Sequence, residues 1–390
     1  MPQPDEINLR IESIAAGGEG FGALNGKGVF VRGTAPGELI RCHIIEGHKT
    51  WARAELLEIT EASPDRVEPV CPLYGTCGGC ELQHLSYDAQ LDAKAAILRE
   101  TFNRIGGFDP PVPVLIPSSP WEYRNRMQLH CIPQKSVFGL KARKSNNIIP
   151  AADCPVANPG IRAFLQDSAR GENPLSPALV KERFTVFARN GILLCEGGMQ
   201  RGKTTILSRE ICLDASVFFQ SNISLLESLI TKLTEIAAYA DRDLAMADLY
   251  CGVGTFACFL GGLFPSVDLL EENKTALALS RENFLVSCQG VKAEYFALRD
   301  SAWPQLGRKG YGFIVVDPPR TGLAPALASW LAEEGPPILA YVSCSPAALA
   351  RDSKILLKAS LKGMYELAEL YLYDFYPQTA HIETLAVFQK

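Results

Sequence analysis

From about residue 216 onward, amphipathic helical segments alternate with short apolar strands, and this alternation constrains the fold more than any other feature. A helical segment over 223–239 is followed by runs with the length of buried strands: 245–250, 267–270, 313–316 and 339–343. Such alternation is typical of an α/β fold with a doubly wound, Rossmann-like sheet. Because ligands bind beyond the carboxyl ends of the strands in such sheets, the residues after these runs are candidates for a functional site.

Two further regions precede the α/β domain, which we place at residues 216–390. Residues 1–63 combine glycine-rich turns with short strand-like runs, and they predict a small OB-like β-barrel. Residues 64–215 begin at a linker and contain two strand-rich stretches, so they predict a separate central domain. A helix is expected there over 86–105, with four apolar residues on one face: Leu91, Ala95, Leu98 and Phe102.

Three closely spaced cysteines, Cys71, Cys77 and Cys80, lie in the segment CPLYGTCGGC. The glycines of this segment let the backbone wrap closely round a metal centre, and Cys154 in DCP is a plausible fourth ligand. Four thiolates suit either a [4Fe-4S] cluster or a structural zinc ion. Because zinc sites more often use paired short spacings, and the fourth cysteine stands alone here, the pattern favours the cluster. Apart from Cys344, the other cysteines are expected to be core thiols.

A glycine-containing loop, DLYCGVGTF, follows the first strand of the α/β domain. Gly252 and Gly254 allow the backbone to approach a bound nucleoside or amino-acid moiety. Glu271 ends the next strand about twenty residues later, where a carboxylate can bind both ribose hydroxyls. The segment has no third glycine of a dinucleotide fingerprint and no phosphate-binding G-K-[ST]. A cofactor with ribose but no pyrophosphate fits this pattern, which points to S-adenosylmethionine.

Two later strands also end in residues suited to chemistry. Asp317 opens the turn DPPRTG, in which a carboxylate and rigid backbone can lie against a planar base. Cys344 follows the next strand in VSCSP, and an exposed cysteine at that position is a candidate nucleophile. Both residues belong to the same edge of the predicted sheet, and this strengthens the interpretation of Cys344 as catalytic.

The composition limits the partners that we expect. No run approaches the ~20 apolar residues that a membrane span requires, and the N-terminus does not resemble a signal peptide. We therefore expect a cytoplasmic monomer that makes no contact with membranes. The net charge of −5 argues against nucleic acid, but residues 121–145 hold only one acid, Glu122. The same stretch has six basic residues that can bind phosphates: Arg124, Arg126, Lys135, Lys141, Arg143 and Lys144.

Several segments, in this order, resemble the RNA 5-methyluridine methyltransferases, most closely the bacterial 23S rRNA branch with an N-terminal TRAM domain. They are CPLYGTCGGCELQHL, YRNRMQLH, DCP, FFQSN, DLYCGVGTF, DPPRTGL, YVSCSPAALARD and HIETLAVF. The resemblance implies a [4Fe-4S] cluster on the four cysteines and an RNA substrate. It implies methyl-donor contacts by four residues: Gln220, Tyr250, Glu271 and Asp317. It also implies that Cys344 is the nucleophile and Glu383 the base. Thr255 departs from the pattern, since an Asn is common there.

The expected reaction transfers a methyl group to C5 of an unpaired uridine, which must be extruded into the pocket. Phe218 or Phe219 can then stack on neighbouring bases, and the RNA contacts are expected from the barrel and the basic stretch. A tRNA T-loop is the alternative substrate. An RNA 5-methylcytidine enzyme is disfavoured, because it would be expected to have a cysteine after the first proline of DPPR. A non-catalytic iron–sulfur protein that binds RNA is the remaining alternative.

Overall fold

The N-terminal region forms one six-stranded sheet in the computed structural model, which describes residues 6–132, 137–172, 175, 182–306, 308–358 and 363–390. Its strands are β1 (Glu6–Arg10), β2 (Ser13–Ile14), β3 (Glu19–Leu24), β4 (Lys27–Arg32), β5 (Leu39–Gly47) and β6 (Trp51–Glu61). The order is β1-β5-β6-β4-β3-β2, and all pairs are antiparallel except β4 and β6. Alternate residues such as Val29, Val31, Ala52 and Ala54 form its core. The predicted N-terminal domain of strands is confirmed.

Helix α1 (Tyr87–Thr101) and strand β7 (Val114–Ile116) follow. The Ser86 hydroxyl caps α1, and a single π-helical turn over 102–106 extends it. Its apolar face is buried as predicted, with Leu98 and Phe102 fully inaccessible to solvent. This face packs on the C-terminal sheet, which β7 also joins as an edge strand. The predicted central domain, residues 64–215, includes both elements, because the residues that they contact lie far away along the chain.

The central region contains a second sheet, a hairpin and one helix. These elements are β8 (Arg126–Ile132), β9 (Val137–Lys141), β10 (Ile148–Pro150), α2 (Pro159–Ala169), β11 (Arg183–Arg189), β12 (Ile192–Cys195), β13 (Arg201–Ile206) and β14 (Arg209–Asp214). Strands β10-β9-β8-β11-β12 form the sheet, and β13 pairs with β14 alone. Phe138 stacks on Phe164 and meets Phe184 edge to face, so helix α2 is fixed on the sheet by aromatic packing.

The C-terminal region forms the predicted doubly wound sheet. Its elements are α3 (Ile223–Ala237), β15 (Ala245–Leu249), α4 (Thr255–Leu260), β16 (Ser266–Leu270), α5 (Lys274–Ser287), β17 (Lys292–Phe296), β18 (Tyr311–Val316), α6 (Pro325–Glu334), β19 (Ile338–Ser343), α7 (Pro346–Leu356), β20 (Glu366–Tyr373) and β21 (Glu383–Gln389). The strand order is β17-β16-β15-β18-β19-β21-β20-β7. Strands β15 to β19 are parallel, whereas β21 runs antiparallel to both of its neighbours. The Rossmann-like architecture is confirmed, and the sequence analysis did not identify three of its strands, β17, β20 and β21.

The order of the strands reverses between β15 and β18, which are adjacent although the chain runs from β15 to β16 first. Helices α3 to α5 cover one face of the sheet, while α1, α6 and α7 cover the other. A crevice forms at such a reversal beyond the carboxyl ends of the strands, and it is where doubly wound sheets bind ligands. In the described part of the chain, no helix is long and apolar enough to cross a membrane.

A buried ion pair fastens α1 to the chain after β20. Lys94 Nζ donates to Asp374 Oδ1 at 2.5 Å, and both side chains are fully inaccessible to solvent. Removing one partner of such a pair leaves an unpaired buried charge. We predict that Lys94→Met lowers the free energy of unfolding by about 3–5 kcal/mol, measured by urea denaturation followed by circular dichroism.

The exposed pair between Arg99 and Asp109, also made by α1, provides the control. Arg99→Met should leave the free energy of unfolding nearly unchanged. The double variant Lys94→Met with Asp374→Leu should recover much of the lost stability, because no unpaired charge remains. Equal stability of Lys94→Met and wild type would contradict the importance of this pair.

Candidate active site

A cavity of about 930 Å³ lies at the carboxyl ends of the parallel strands, next to the reversal of strand order. It is lined by residues from several separate segments, including seven of the eight predicted donor and catalytic positions: Gln220, Tyr250, Gly252, Glu271, Asp317, Cys344 and Glu383. The folded chain therefore brings together groups that are up to 163 positions apart in sequence.

Gly254 is the predicted position that does not line this cavity. Its φ is +80°, and a Cβ atom there would lie 2.8 Å from Cβ of Ser280 in α5. Glycine is thus required because the loop packs against α5 while α4 begins. Gly252, with φ +53°, faces open space and is the glycine that a ligand can approach.

Glu271 is anchored at the end of β16 by two backbone donors. Gly252 N donates to Oε2 at 3.0 Å, and Asn273 N donates to Oε1 at 2.7 Å. These bonds fix the carboxylate beside the glycine loop. The predicted association of Glu271 with that loop therefore has a direct geometric basis.

Asp317 and Asp248 lie close together on adjacent strands. Burial raises the pKa of Asp317 to about 7, while a hydrogen bond from the Gln220 side chain acts in the opposite direction. Burial also raises the pKa of Asp248 to about 7, with further contributions from Asp317 and Glu271. Asp248 Oδ2 accepts from Ala257 N, but Oδ1 has no hydrogen-bond partner among the described residues.

Glu383 is close enough to Cys344 to influence the ionisation of its thiol. Burial and the carboxylates of Glu383 and Asp317 raise the pKa of the Cys344 thiol to about 11, whereas Arg320 lowers it. Burial and Asp317 raise the pKa of Glu383 well above its ordinary value, and Arg320 again acts in the opposite direction. Cys344 is half-buried rather than exposed as the sequence analysis expected, because it lines the cavity together with the DPPR turn.

Two other groups near Glu383 are poorly placed as bases. Asp374 is sequestered by Lys94 and does not line the cavity. His381 also lies outside the lining, and desolvation together with Arg320, Arg124 and Lys94 lowers its pKa to about 4. Glu383 is therefore the carboxylate that faces Cys344 across the cavity.

Two functional features escaped the sequence analysis or remained undecided there. Asp300 accepts hydrogen bonds from the Tyr250 hydroxyl at 2.5 Å and from Ala324 N at 2.7 Å, and it lines the cavity. The position of Asp300 shortly after a strand could have marked it as a site residue, but the sequence analysis had not identified that strand, β17. Of the two adjacent phenylalanines, Phe219 is buried while Phe218 is 60% exposed at the cavity, so only Phe218 is free to stack on a base.

A second cavity, of about 530 Å³, is lined by all four predicted metal ligands: Cys71, Cys77, Cys80 and Cys154. They belong to the CPLYGTCGGC loop and the DCP segment, and all four are free thiols. The loop passes close to the chain after β9, where a Cβ at Gly78 would lie 3.3 Å from Cα of Arg143. In the described ranges, no group of three or more His, Cys, Asp or Glu side chains forms a recognised metal site. The four thiols nevertheless line one cavity, and their number and chemistry match the ligands that a cluster held by four cysteines requires.

The basic stretch at 121–145 is only partly available to RNA. Arg126 lies over the Phe218 ring at 5.6 Å, and Arg143 pairs with Glu81. Arg143 and the exposed Lys141 line the cysteine cavity. Lys135 falls outside the described residues. The basic residues of this stretch are therefore distributed around the two cavities and do not form one continuous solvated surface.

Comparisons with known proteins agree with this geometry. A family model described as tRNA (Uracil-5-)-methyltransferase matches residues 272–390, and a TRAM domain model matches residues 5–57. A relative from Treponema denticola, named an uncharacterized RNA methyltransferase, is 32% identical over 94% of both chains. The chain belongs to the S-adenosylmethionine-dependent RNA (uracil-5-)-methyltransferase family. The predictions of an enzyme and of a TRAM domain are confirmed.

Other members of this uracil-methylating family cover the whole chain. The 23S rRNA (uracil(1939)-C(5))-methyltransferase RlmD of Photorhabdus laumondii subsp. laumondii is 28% identical over 98% of this chain and 96% of its own. The crystal structure of the Pyrococcus abyssi tRNA (uracil-54, C5)-methyltransferase in complex with S-adenosyl-L-homocysteine superposes with a TM-score of 0.75. It is 24% identical and covers 98% of this chain and 100% of its own, so the fold is shared over the full length.

Arg320 provides a test of the electrostatics in this site. Its cation favours the thiolate of Cys344, so its removal should raise the thiol pKa and slow alkylation at any pH below that pKa. We predict that Arg320→Gln shifts the pH profile of Cys344 alkylation to higher pH, measured peptide by peptide with mass spectrometry. Arg242→Gln, at an exposed position outside the cavity, should leave the profile unchanged. Identical profiles for Arg320→Gln and wild type would exclude this role of Arg320.

Proposed function

We propose that the chain transfers a methyl group from S-adenosylmethionine to C5 of a uridine in RNA through a covalent adduct with Cys344. The observation that carries the proposal is the shared cavity, in which Cys344 and Glu383 face the glycine loop and Glu271. In the proposed site, Gln220, Tyr250, Gly252, Glu271 and Asp317 contact the methyl donor, and Asp300 orients Tyr250. Gly254 contributes by shaping the loop.

The proposed reaction begins with attack of the Cys344 thiolate on C6 of uracil. A bond forms between Sγ and C6, and the electrons of the C5–C6 double bond move onto the carbonyl oxygen at C4 as an enolate. C5 is then electron-rich and takes the methyl group, while the sulfonium–methyl bond breaks and S-adenosylhomocysteine is left. This covalent route replaces one difficult step by several easier ones.

Glu383 completes the proposed reaction as the base. It removes the proton from C5, the C5–C6 double bond forms again, and the Cys344 thiolate leaves. Burial raises the pKa of Glu383 above its ordinary value, which makes its carboxylate a stronger base for this step. The positive sulfonium of the donor would bring the pKa values of the neighbouring acids back down when it binds.

The nucleophile and the base can be separated by the species that each variant accumulates. Cys344→Ala should form neither adduct nor product, because addition at C6 cannot begin. Glu383→Gln should add to C6 and methylate C5 but then stall, which leaves a labelled protein–RNA adduct that survives denaturing electrophoresis. Cys42→Ala, a thiol in the core of the N-terminal sheet, should behave like wild type.

Two outcomes would contradict these roles. Activity in Cys344→Ala would exclude the covalent route. Turnover of Glu383→Gln at the wild-type rate without adduct would assign proton removal to another group. Wild-type protein should form a stable adduct only with 5-fluorouridine RNA, in which fluorine replaces the removable proton.

We propose 23S rRNA as the substrate, with a tRNA T-loop as the alternative. Support for rRNA comes from the relative that is named RlmD and matches nearly the whole chain, including the region of the TRAM domain. The uridine would lie in a loop or bulge and be extruded, with Phe218 stacking on a neighbouring base. Mapping 5-methyluridine in rRNA and tRNA of cells with and without this protein distinguishes the two substrates.

We propose that Cys71, Cys77, Cys80 and Cys154 hold a [4Fe-4S] cluster. The support is that four free thiols from two distant segments line one cavity. Bound there, the cluster would supply a rigid link between the two segments. Protein purified without oxygen should contain about four iron atoms per chain, measured by elemental analysis. Cys71→Ser should lose the iron, whereas Cys131→Ser, on β8, should retain it. One equivalent of zinc without iron would overturn the cluster.

We further propose three functional units at residues 1–63, 64–215 and 216–390, with RNA binding by the first two and methyl transfer by the third. The separate cores of the N-terminal and central sheets support these limits, although α1 and β7 pack on the third unit. The enzyme is also proposed to act as a monomer in the cytoplasm, as the sequence analysis expected.

A further inference from the structure

The loop at residues 374–381 joins β20 to β21 and leads directly to the proposed base. It is held from the side of α1 by two sets of hydrogen bonds. Gln90 and Gln378 pair reciprocally: Gln90 Nε2 donates to Gln378 Oε1 at 3.0 Å, and Gln378 N donates to Gln90 Oε1 at 2.9 Å. Lys94 Nζ also donates to the carbonyl oxygen of Tyr376 at 3.0 Å. Gln378 has a φ of +68°, so this backbone geometry depends on its partners.

The cysteine loop holds the same segment from the opposite side. Glu81 N and Leu82 N, which follow Cys80 directly, both donate to the carbonyl oxygen of Gln378 at 3.0 and 2.9 Å. The Glu81 carboxylate accepts from Ala380 N at 3.1 Å. A change in the position of the cysteine loop would therefore be transmitted to the chain that precedes the proposed base.

Arg124 makes a third connection, and its backbone is part of the DCP side of the cysteine cavity. Arg124 N donates to the carbonyl oxygen of Val156 at 2.9 Å, and Asn158 N donates to the carbonyl oxygen of Arg124 at 3.0 Å. The paired segment begins just after Cys154. The side chain of Arg124 lines the cysteine cavity together with that cysteine.

The other end of this connection is Tyr376. The Arg124 guanidinium carbon lies 5.8 Å from the centroid of the Tyr376 ring, in a cation–π arrangement. The ring packs against two hydrophobic clusters, the one of the central sheet and the one on the α3–α5 face of the C-terminal sheet. The hydroxyl of Tyr376 hydrogen-bonds with the Ser221 side chain, next to Gln220 of the donor site. Tyr376 is thus shared by the cores on both sides of the cavity.

We propose that Arg124 and Tyr376 form a positioning pair that fixes the 374–381 loop, so that Glu383 stays aligned with Cys344 and responds to the state of the cysteine cavity. The inference rests on the proposed function, in which Glu383 is the base. The pair itself does not touch the reacting atoms. It determines where the strand that carries Glu383 begins.

The kinetic test uses single-turnover reactions on RNA that carries tritium at C5 of the target uridine. Arg124→Met and Tyr376→Leu should slow tritium release by up to about 100-fold, the effect of a small misplacement of a catalytic group. Tyr376→Phe retains the ring and should release tritium at nearly the wild-type rate. Donor affinity by calorimetry and RNA affinity should not change in any of these variants. A loss of RNA affinity in Arg124→Met that accounts for the slower release would overturn the proposal.

Arg281→Met is the matched control, because Arg281 makes a similar cation–π contact with Tyr295 away from the cavity. It should change neither tritium release nor the exchange described next. If it slowed release as strongly as Arg124→Met, the effect would belong to general stability and the proposal would fail.

Hydrogen–deuterium exchange gives a readout that is independent of catalysis. Amides of the peptide 374–383 should exchange faster in Arg124→Met, Tyr376→Leu and Cys80→Ser than in wild type, while Tyr376→Phe remains protected. Unchanged exchange in Arg124→Met and Tyr376→Leu would overturn the positioning pair. Unchanged exchange in Cys80→Ser alone would overturn its link to the cysteine cavity. Full activity of Glu383→Gln would exclude Glu383 as the base. The exchange results would still test the positioning pair, because they do not depend on catalysis.

Discussion

Several carboxylates lie in or beside one partly buried cavity, and the chemistry of the site depends on this concentration of acid groups. Asp248, Glu271, Asp317 and Glu383 come from the carboxyl ends of β15, β16 and β18 and from the start of β21. Burial raises the pKa values of Asp248, Asp317 and Glu383, and repulsion from neighbouring carboxylates adds to the rise for Asp248 and Glu383. Such an arrangement is unfavourable in an empty cavity and becomes favourable when a cation enters. The sulfonium of S-adenosylmethionine is a cation of the required kind.

The same electrostatics affect the ionisation of Cys344, the nucleophile in our proposal. Burial, with smaller contributions from Glu383 and Asp317, raises the pKa of the Cys344 thiol, and Arg320 only partly offsets this rise. In our proposal, a donor with a positive charge shifts this balance toward the thiolate, whereas the neutral product S-adenosylhomocysteine does not. Thiolate formation would then be coupled to the presence of the methyl group. This coupling requires no conformational change, because it follows from the charges that line the cavity.

The parallel sheet, its helices and most of the site were predictable, because each depends on local sequence. Apolar strands identified β15, β16, β18 and β19, and the residues after them were Glu271, Asp317 and Cys344. The same pattern predicted that Gly254 lies against the ligand. Glycine is required there because a Cβ atom would come too close to Ser280, which lies on α5. The sequence could not show that contact.

Features that depend on distant parts of the chain were not predictable. Strand β7 pairs with β20 more than 250 residues later, so its membership of the C-terminal sheet has no local signal. The electrostatic effect of Arg320 on Cys344 depends on the DPPR turn and Cys344 lining the same cavity. The hydrogen bonds between the cysteine loop and Gln378 likewise join segments that are almost 300 residues apart.

The claim that the charge of the donor activates Cys344 is tested most directly by two pKa measurements on its thiol in the absence of RNA. One is made with S-adenosylmethionine bound and the other with S-adenosylhomocysteine bound. The pH dependence of Cys344 alkylation, followed in its own peptide, gives both values. The sulfonium complex should have a clearly lower thiol pKa than the complex with the neutral product. The same pKa in both complexes would contradict the claim that the charge of the donor activates the nucleophile.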